Sequence, residues 1–114
     1  MIRIITSTIS LKELKDMAEL WHGQLVKAVI DVERKVMAVN GEMHADEEQV
    51  LLQDGSKQEN LWGLNIYPDK DIENRIEFDS MINVRPGQNN MSRSVEDENL
   101  KKIIRSVVDH MITD

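Results

Sequence analysis

The spacing of hydrophobic positions changes several times along the chain, and each change marks a predicted element. Ile2, Ile4 and Ile5 read as a short first strand. Leu11, Leu14, Met17, Ala18 and Trp21 then recur at helical spacing. Ser10 precedes them as N-cap and Glu13 stands at the capping-box position, with Ile9 and Leu14 placed for a hydrophobic staple. Gly23 ends this helix. The pattern next alternates through Val26, Ala28, Ile30 and Val32, and again through Val36 and Ala38. The polar DVERK between the two runs is the turn of a predicted β-hairpin. The other phase of the first arm carries Lys27, Asp31 and Glu33.

ADEEQVLLQDG reads as a short helix over 46–54, with acidic residues at its start and Gly55 to close it. A strand through 50–53, turning at Asp54 and Gly55, is the competing reading. LWGLNIYP predicts a strand with Trp62, Leu64 and Ile66 on one face and Asn65 and Tyr67 on the other. IEFDSMINVRP predicts another, with Ile76, Phe78, Ile82 and Val84 facing one way and Glu77, Asp79, Asn83 and Arg85 the other. PGQNNMSRS is a turn-rich loop. Leu100, Ile103, Ile104, Val107, Val108, Met111 and Ile112 then form a strongly amphipathic last helix, with Ser94 as its N-cap and Glu96 and Asp97 in its first turn.

The order β-α-β-β-α-β-β-α places the chain in the α+β class. The expected architecture is a single compact domain over 1–114: a mostly antiparallel sheet of about five strands, with two or three helices packed mainly on one face. The opposite face then carries polar rows that no long helix covers.

Composition narrows the chemistry. The 114 residues have room for one core, and there is no cysteine to supply a disulfide, a thiolate metal site or a thiol nucleophile. MIRIITSTIS is too short and too polar for a signal peptide, and no apolar run approaches the ~20 residues of a membrane span, so the cytoplasm is the expected location. A net charge of −7 repels phosphate backbones and anionic headgroups, which argues against nucleic-acid and membrane partners. Cations, neutral small molecules and basic protein surfaces suit that field. An anionic ligand requires a local basic pocket, and the only stretch that suggests one runs from Arg85 to Arg93.

The blocks NGEMHADEE, GSKQENLWGLNIYP and IEFDSMINVRP, in this order and spacing, resemble a family of small bacterial and archaeal proteins catalogued only as a domain of unknown function. The resemblance runs over nearly the whole chain. It implies a compact stand-alone domain and supplies no catalytic or binding residue.

Three groups of residues carry candidate chemistry. His44, Asp46, Glu47 and Glu48 combine imidazole and carboxylate donors suited to a divalent metal ion, with His44, Asp46 and Glu48 as the expected ligands, although neither HExxH nor an EF-hand loop is present. Their bland reading is an acidic first helical turn stabilised by the helix dipole. Asn65, Tyr67, Glu77, Asp79, Asn83 and Arg85 form the polar row of the sheet and offer directed hydrogen bonds to a small polar ligand. Their bland reading is a solvated face with rim ion pairs. Arg85, Asn89 and Arg93 belong to an amide-rich loop that runs into a helix start, where an arginine fork binds carboxylate or phosphate. Arg85 is expected at the mouth of this loop, free to reach a ligand. His22 and His110 read as surface residues on helices.

Three functions compete on these residues. The first is a binding domain for a small polar ligand or metal ion, on the polar sheet face and the adjoining Arg/Asn loop. The second is a metal-dependent hydrolase centred on His44, Asp46 and Glu48, with Glu77 or Asp79 joining from the sheet; a divalent metal ion is the one cofactor considered. The third is an interaction module, monomer or homodimer, pairing through the first strand as an exposed sheet edge.

Overall fold

A computed structural model describes residues 1–21 and 23–114. His22, read above as a surface residue, lies outside them. The elements in chain order are β1 (Arg3–Ile5), β2 (Ile9–Ser10), α1 (Leu11–Trp21), β3 (Val26–Asp31), β4 (Val36–Val39), α2 (His44–Gln53), β5 (Leu61–Ile66), β6 (Ile76–Glu77), α3 (Glu98–Met111) and β7 (Ile112–Thr113). Short 3-10 turns cover Gln58–Asn60, Met81–Asn83 and Pro86–Gln88. Five strands form one antiparallel sheet in the order β1-β4-β3-β5-β6, which confirms the α+β class. β2 and β7 make a separate two-stranded parallel ribbon, which the sequence patterns did not suggest.

Local signals explain the first half. At the head of α1 the Ser10 amide donates to the Glu13 carboxylate at 3.1 Å, and the Glu13 amide donates to Ser10 Oγ at 3.1 Å, which completes the capping box. The DVERK turn is held by Asp31, whose Oδ1 accepts from the amides of Glu33 and Arg34, both at 2.9 Å. Lys35 closes the turn at φ 56°. His44–Gln53 is helical, and the strand reading of 50–53 fails.

The core lies on both faces of the sheet. On one face Leu14, Met17 and Ala18 of α1 and Ile104, Val108 and Met111 of α3 pack over Ala28, Ile30, Leu64 and Ile66. On the other, Leu51 of α2 covers Val29, Val36, Ala38 and Leu61. β4 is therefore buried on both sides. Two of the three helices share a face as expected, but the second face is not left bare: α2 lies on it, with His44, Glu47 and Leu51 as its buried positions.

The strand expected from Ile76 to Pro86 ends after Glu77. Ser80 starts a 3-10 turn by accepting from the Ile82 amide. The side-chain amide of Asn83 then takes the place of a neighbouring strand. It accepts from the Gly63 amide at 2.8 Å and donates to the Gly63 carbonyl at 2.9 Å and the Arg93 carbonyl at 3.0 Å. This approach needs glycine at 63, because a Cβ there would lie 2.6 Å from Ser80 Cβ and Oγ. The alternation expected along this strand is lost: Ile82 packs on the α2 side, while Phe78 packs against the α1/α3 core.

The cap of α3 also differs. Asp97, not Ser94, accepts from the amides of Asn99 and Leu100. Glu96 instead lies before the helix, where its carboxylate accepts from the amides of Met91 and Ser92; the bond from the Ser92 side chain, and then these two, lower its pKa. No helix among the described residues is long and apolar enough to cross a membrane.

Candidate functional site

Register brings three polar residues of different strands into one row on the α2 side of the sheet. Lys27 of β3 pairs with Asn65 of β5, and Asn65 pairs with Glu77 of β6. Asn65 is buried; its Nδ2 donates to Glu77 Oε1 at 2.9 Å, and its Oδ1 has no partner among the described residues. Tyr67 donates to the same Glu77 oxygen at 3.1 Å, and its pKa is raised by burial and by this bond to a carboxylate. Three of the expected ligand residues, Asn65, Tyr67 and Glu77, are thus together. Tyr67 and Glu77 line an open groove of about 510 Å³ with Lys70, Asp71, Asn74 and Ile76. Many of its polar groups already engage one another: Lys70 lies over the Tyr67 ring at 4.2 Å, and Asp71 accepts from Asn74.

The remaining expected residues go elsewhere. Asn83 is fully buried and spends its amide on backbone. Arg85 is not free at a loop mouth. Its guanidinium donates to the carbonyls of Gln58 and Leu61 and stacks on the Trp62 ring at 4.0 Å, and burial lowers its pKa. The β5 edge, left unpaired when β6 ends early, draws both Asn83 and Arg85 into structural service. Asn89 adopts φ 57° and lines a separate cleft of about 400 Å³ with Trp62, Gln88 and Asp97. The buried organiser of this loop is Asn90, which the sequence reading passed over. Its Nδ2 donates to the carbonyls of Asn83 and Ser94, both at 2.7 Å, and its Oδ1 accepts from the Glu96 amide.

At the other end of the row, Lys27 opens onto a cavity of about 240 Å³ between the start of α2 and the 80–82 turn. Lys27, His44, Ser80 and Arg93 give it polar walls; Met43, Ala45, Met81 and Ile82 give it apolar ones. Arg93 pairs with Asp79 through Nε at 2.5 Å, and its two terminal nitrogens make no hydrogen bond among the described residues. Lys27 forms no ion pair among them. Met43, the N-cap of α2, gives no side-chain cap; the amides of Asp46 and Glu47 donate to its carbonyl, and those of His44 and Ala45 keep their donor capacity among the described residues.

His44 lines this cavity. Its Nε2 lies 2.8 Å from the Leu64 carbonyl, and a carbonyl only accepts, so Nε2 carries the proton. Burial is the largest influence on its pKa, which is lowered to about 4; the Lys27 and Arg93 charges add to the shift, while the Leu64 bond and Asp79 oppose it. The ring is neutral at pH 7. Asp46 is exposed and Glu48 only partly buried. Among the described residues no three His, Asp or Glu side chains gather where a metal ion could be shared, so the triad His44, Asp46 and Glu48 is not assembled.

The acid that does face inward is Glu47. It is fully buried, its Oε2 accepting from the Gly41 amide at 2.9 Å and its Oε1 without a partner among the described residues. Burial raises its pKa well above the usual carboxylate range, against the smaller opposing pull of the Gly41 bond and the Lys27 charge. The close fit depends on Gly41, where a Cβ would stand 2.6 Å from Glu47 Cγ. The signal for this burial was present in the sequence: His44, Glu47 and Leu51 lie at i, i+3 and i+7 on one helix face.

Comparison with curated proteins gave no match, and neither did comparison with solved structures. A family model does match, over residues 3–111, under the description "Protein of unknown function (DUF5674)". The chain, with its five-stranded antiparallel sheet and its polar row from Lys27 to Glu77, belongs to that family.

Proposed function

We propose that this domain binds a small anion, a carboxylate or phosphate group, in the cavity between the start of α2 and the 80–82 turn. The observation that carries the reading is the meeting of Lys27 and Arg93 in one cavity of a protein whose net charge is −7. Two cations with only Asp79 paired against them leave a local excess of positive charge, the local basic pocket that an acidic protein needs to hold an anion. Neutral His44 does not offset that charge, and the uncapped amides of α2 add to the field. The volume of about 240 Å³ is below that of sites for drug-sized ligands, so the ligand is small. The acidic, cysteine-free composition fits a cytoplasmic setting for this binding.

Calorimetric titration with acetate and with inorganic phosphate tests the reading. Saturable binding with a Kd on the order of 1 mM is expected for a single charged group. Lys27→Met removes one charge-assisted contact and weakens binding about tenfold, which corresponds to about 1.4 kcal/mol. Lys27 is only half-buried and unpaired among the described residues, so the variant keeps its fold. Unchanged affinity in the variant, or no saturable binding by either anion, contradicts the assignment.

A further inference from the structure

The cavity has two chemically distinct sides. Lys27, His44, Ser80 and Arg93 supply hydrogen-bonding and charged groups, while Met43, Ala45, Met81 and Ile82 supply hydrocarbon and thioether. Met43 is 57% exposed and Met81 66% exposed, although both belong to a lining that a purely ionic ligand does not need. A methionine held in water gains nothing there, whereas at a binding mouth its unbranched, polarisable side chain closes over apolar ligands of varied shape. The two methionines come from different elements: Met43 precedes α2, and Met81 opens the 3-10 turn.

Resting on the anion-binding reading above, we infer that the ligand is amphipathic: a monoanionic head held by Lys27 and Arg93, with a short aliphatic tail lying between Met43 and Met81. A carboxylate head suits the donors well. The terminal nitrogens of Arg93 form a planar fork that matches one carboxylate edge, and Lys27 adds a point charge from β3. A bare phosphate fills the polar side alone and leaves the methionines in water. A tail longer than the cavity of about 240 Å³ can hold projects into solvent and gains nothing further.

The test is a titration series of acetate, butyrate, hexanoate, hexyl phosphate and hexylammonium, each measured by calorimetry at constant ionic strength. Affinity is expected to rise about fourfold per added methylene from acetate to hexanoate, the increment for burying one such group. Hexylammonium is expected not to bind. Hexyl phosphate decides the head group, since equal or tighter binding than hexanoate overturns the carboxylate choice. In the Met43→Ser/Met81→Ser double variant the gain per methylene should fall to less than twofold, with thermal unfolding recorded to show that the fold is kept. Acetate and hexanoate binding with equal affinity overturns the tail while leaving the anion site intact. Failure of every anion in the series, phosphate included, overturns the anion site and the tail with it. Hexylammonium binding as tightly as hexanoate shows an apolar patch without a head-group site, and also overturns the inference.

Discussion

Asn83→Ala lowers the unfolding free energy by about 3 kcal/mol, a large fraction of the stability of a domain this size. The Asn83 side chain is fully buried, and its amide makes three hydrogen bonds to backbone: both polar groups of Gly63 and the carbonyl of Arg93. Alanine leaves those groups facing a cavity, and each buried group without a partner costs about 1–3 kcal/mol. Asn83→Asp separates the donor role from the acceptor role. It still accepts from the Gly63 amide but turns oxygen toward two carbonyls, so it is more stable near pH 4, where a protonated acid donates, than near pH 7. Urea unfolding gives both numbers, with an unchanged m-value showing that the folded state is the same. A loss below about 1 kcal/mol for alanine contradicts the structural role assigned to this amide.

Buried Glu47 makes stability fall as pH rises above about 4.5, with a limiting slope of about 1.4 kcal/mol per pH unit, until its folded pKa is passed. The sign follows from proton counts. Above about 4.5 the unfolded chain has released the Glu47 proton while the folded protein retains it, so rising pH favours unfolding. His44 works in the opposite direction, with a folded pKa of about 4 and an unfolded value of 6.5. Between those values the unfolded chain holds the extra proton, and rising pH favours folding. The two slopes oppose between about 4.5 and 6.5, and above 6.5 the His44 contribution no longer changes with pH. The charges around Glu47 are Lys27, which favours its ionisation, and Asp46, which resists it. Glu47→Gln keeps an acceptor for the Gly41 amide and removes the titration, so its stability relative to the parent is expected to grow as pH rises from about 4.5 towards neutrality. Urea midpoints at three pH values across this range decide the matter. Parallel profiles for the two proteins contradict the buried-acid assignment.

The contrast between the two halves of the chain has a physical origin. The capping box of Ser10 and Glu13, the Asp31 turn and the Trp62/Leu64/Ile66 face were legible because each is set by neighbours in sequence. From Phe78 to Arg85 the hydrophobic alternation suggests a strand, but a side-chain amide and a guanidinium replace strand hydrogen bonds, and their partners Gly63, Leu61 and Gln58 are distant in sequence. Local periodicity carries no trace of such a substitution. The site was legible in part. Arg93 and His44 were singled out, whereas Lys27 appeared only as a polar phase of a strand. Its place beside Asn65 and under α2 depends on a register and a packing order that exist only in three dimensions.

An anion added to the protein must land in one place. Amide chemical shifts recorded during a hexanoate titration, with sodium chloride at equal ionic strength as the reference, locate it. The cavity assignment predicts saturable shifts at Lys27, at Met43 to Ala45, at Ser80 to Ile82 and at Arg93, with Tyr67, Lys70 and Asn74 unmoved. Shifts gathered instead around the Tyr67 groove, or the same scatter that sodium chloride produces, would contradict it.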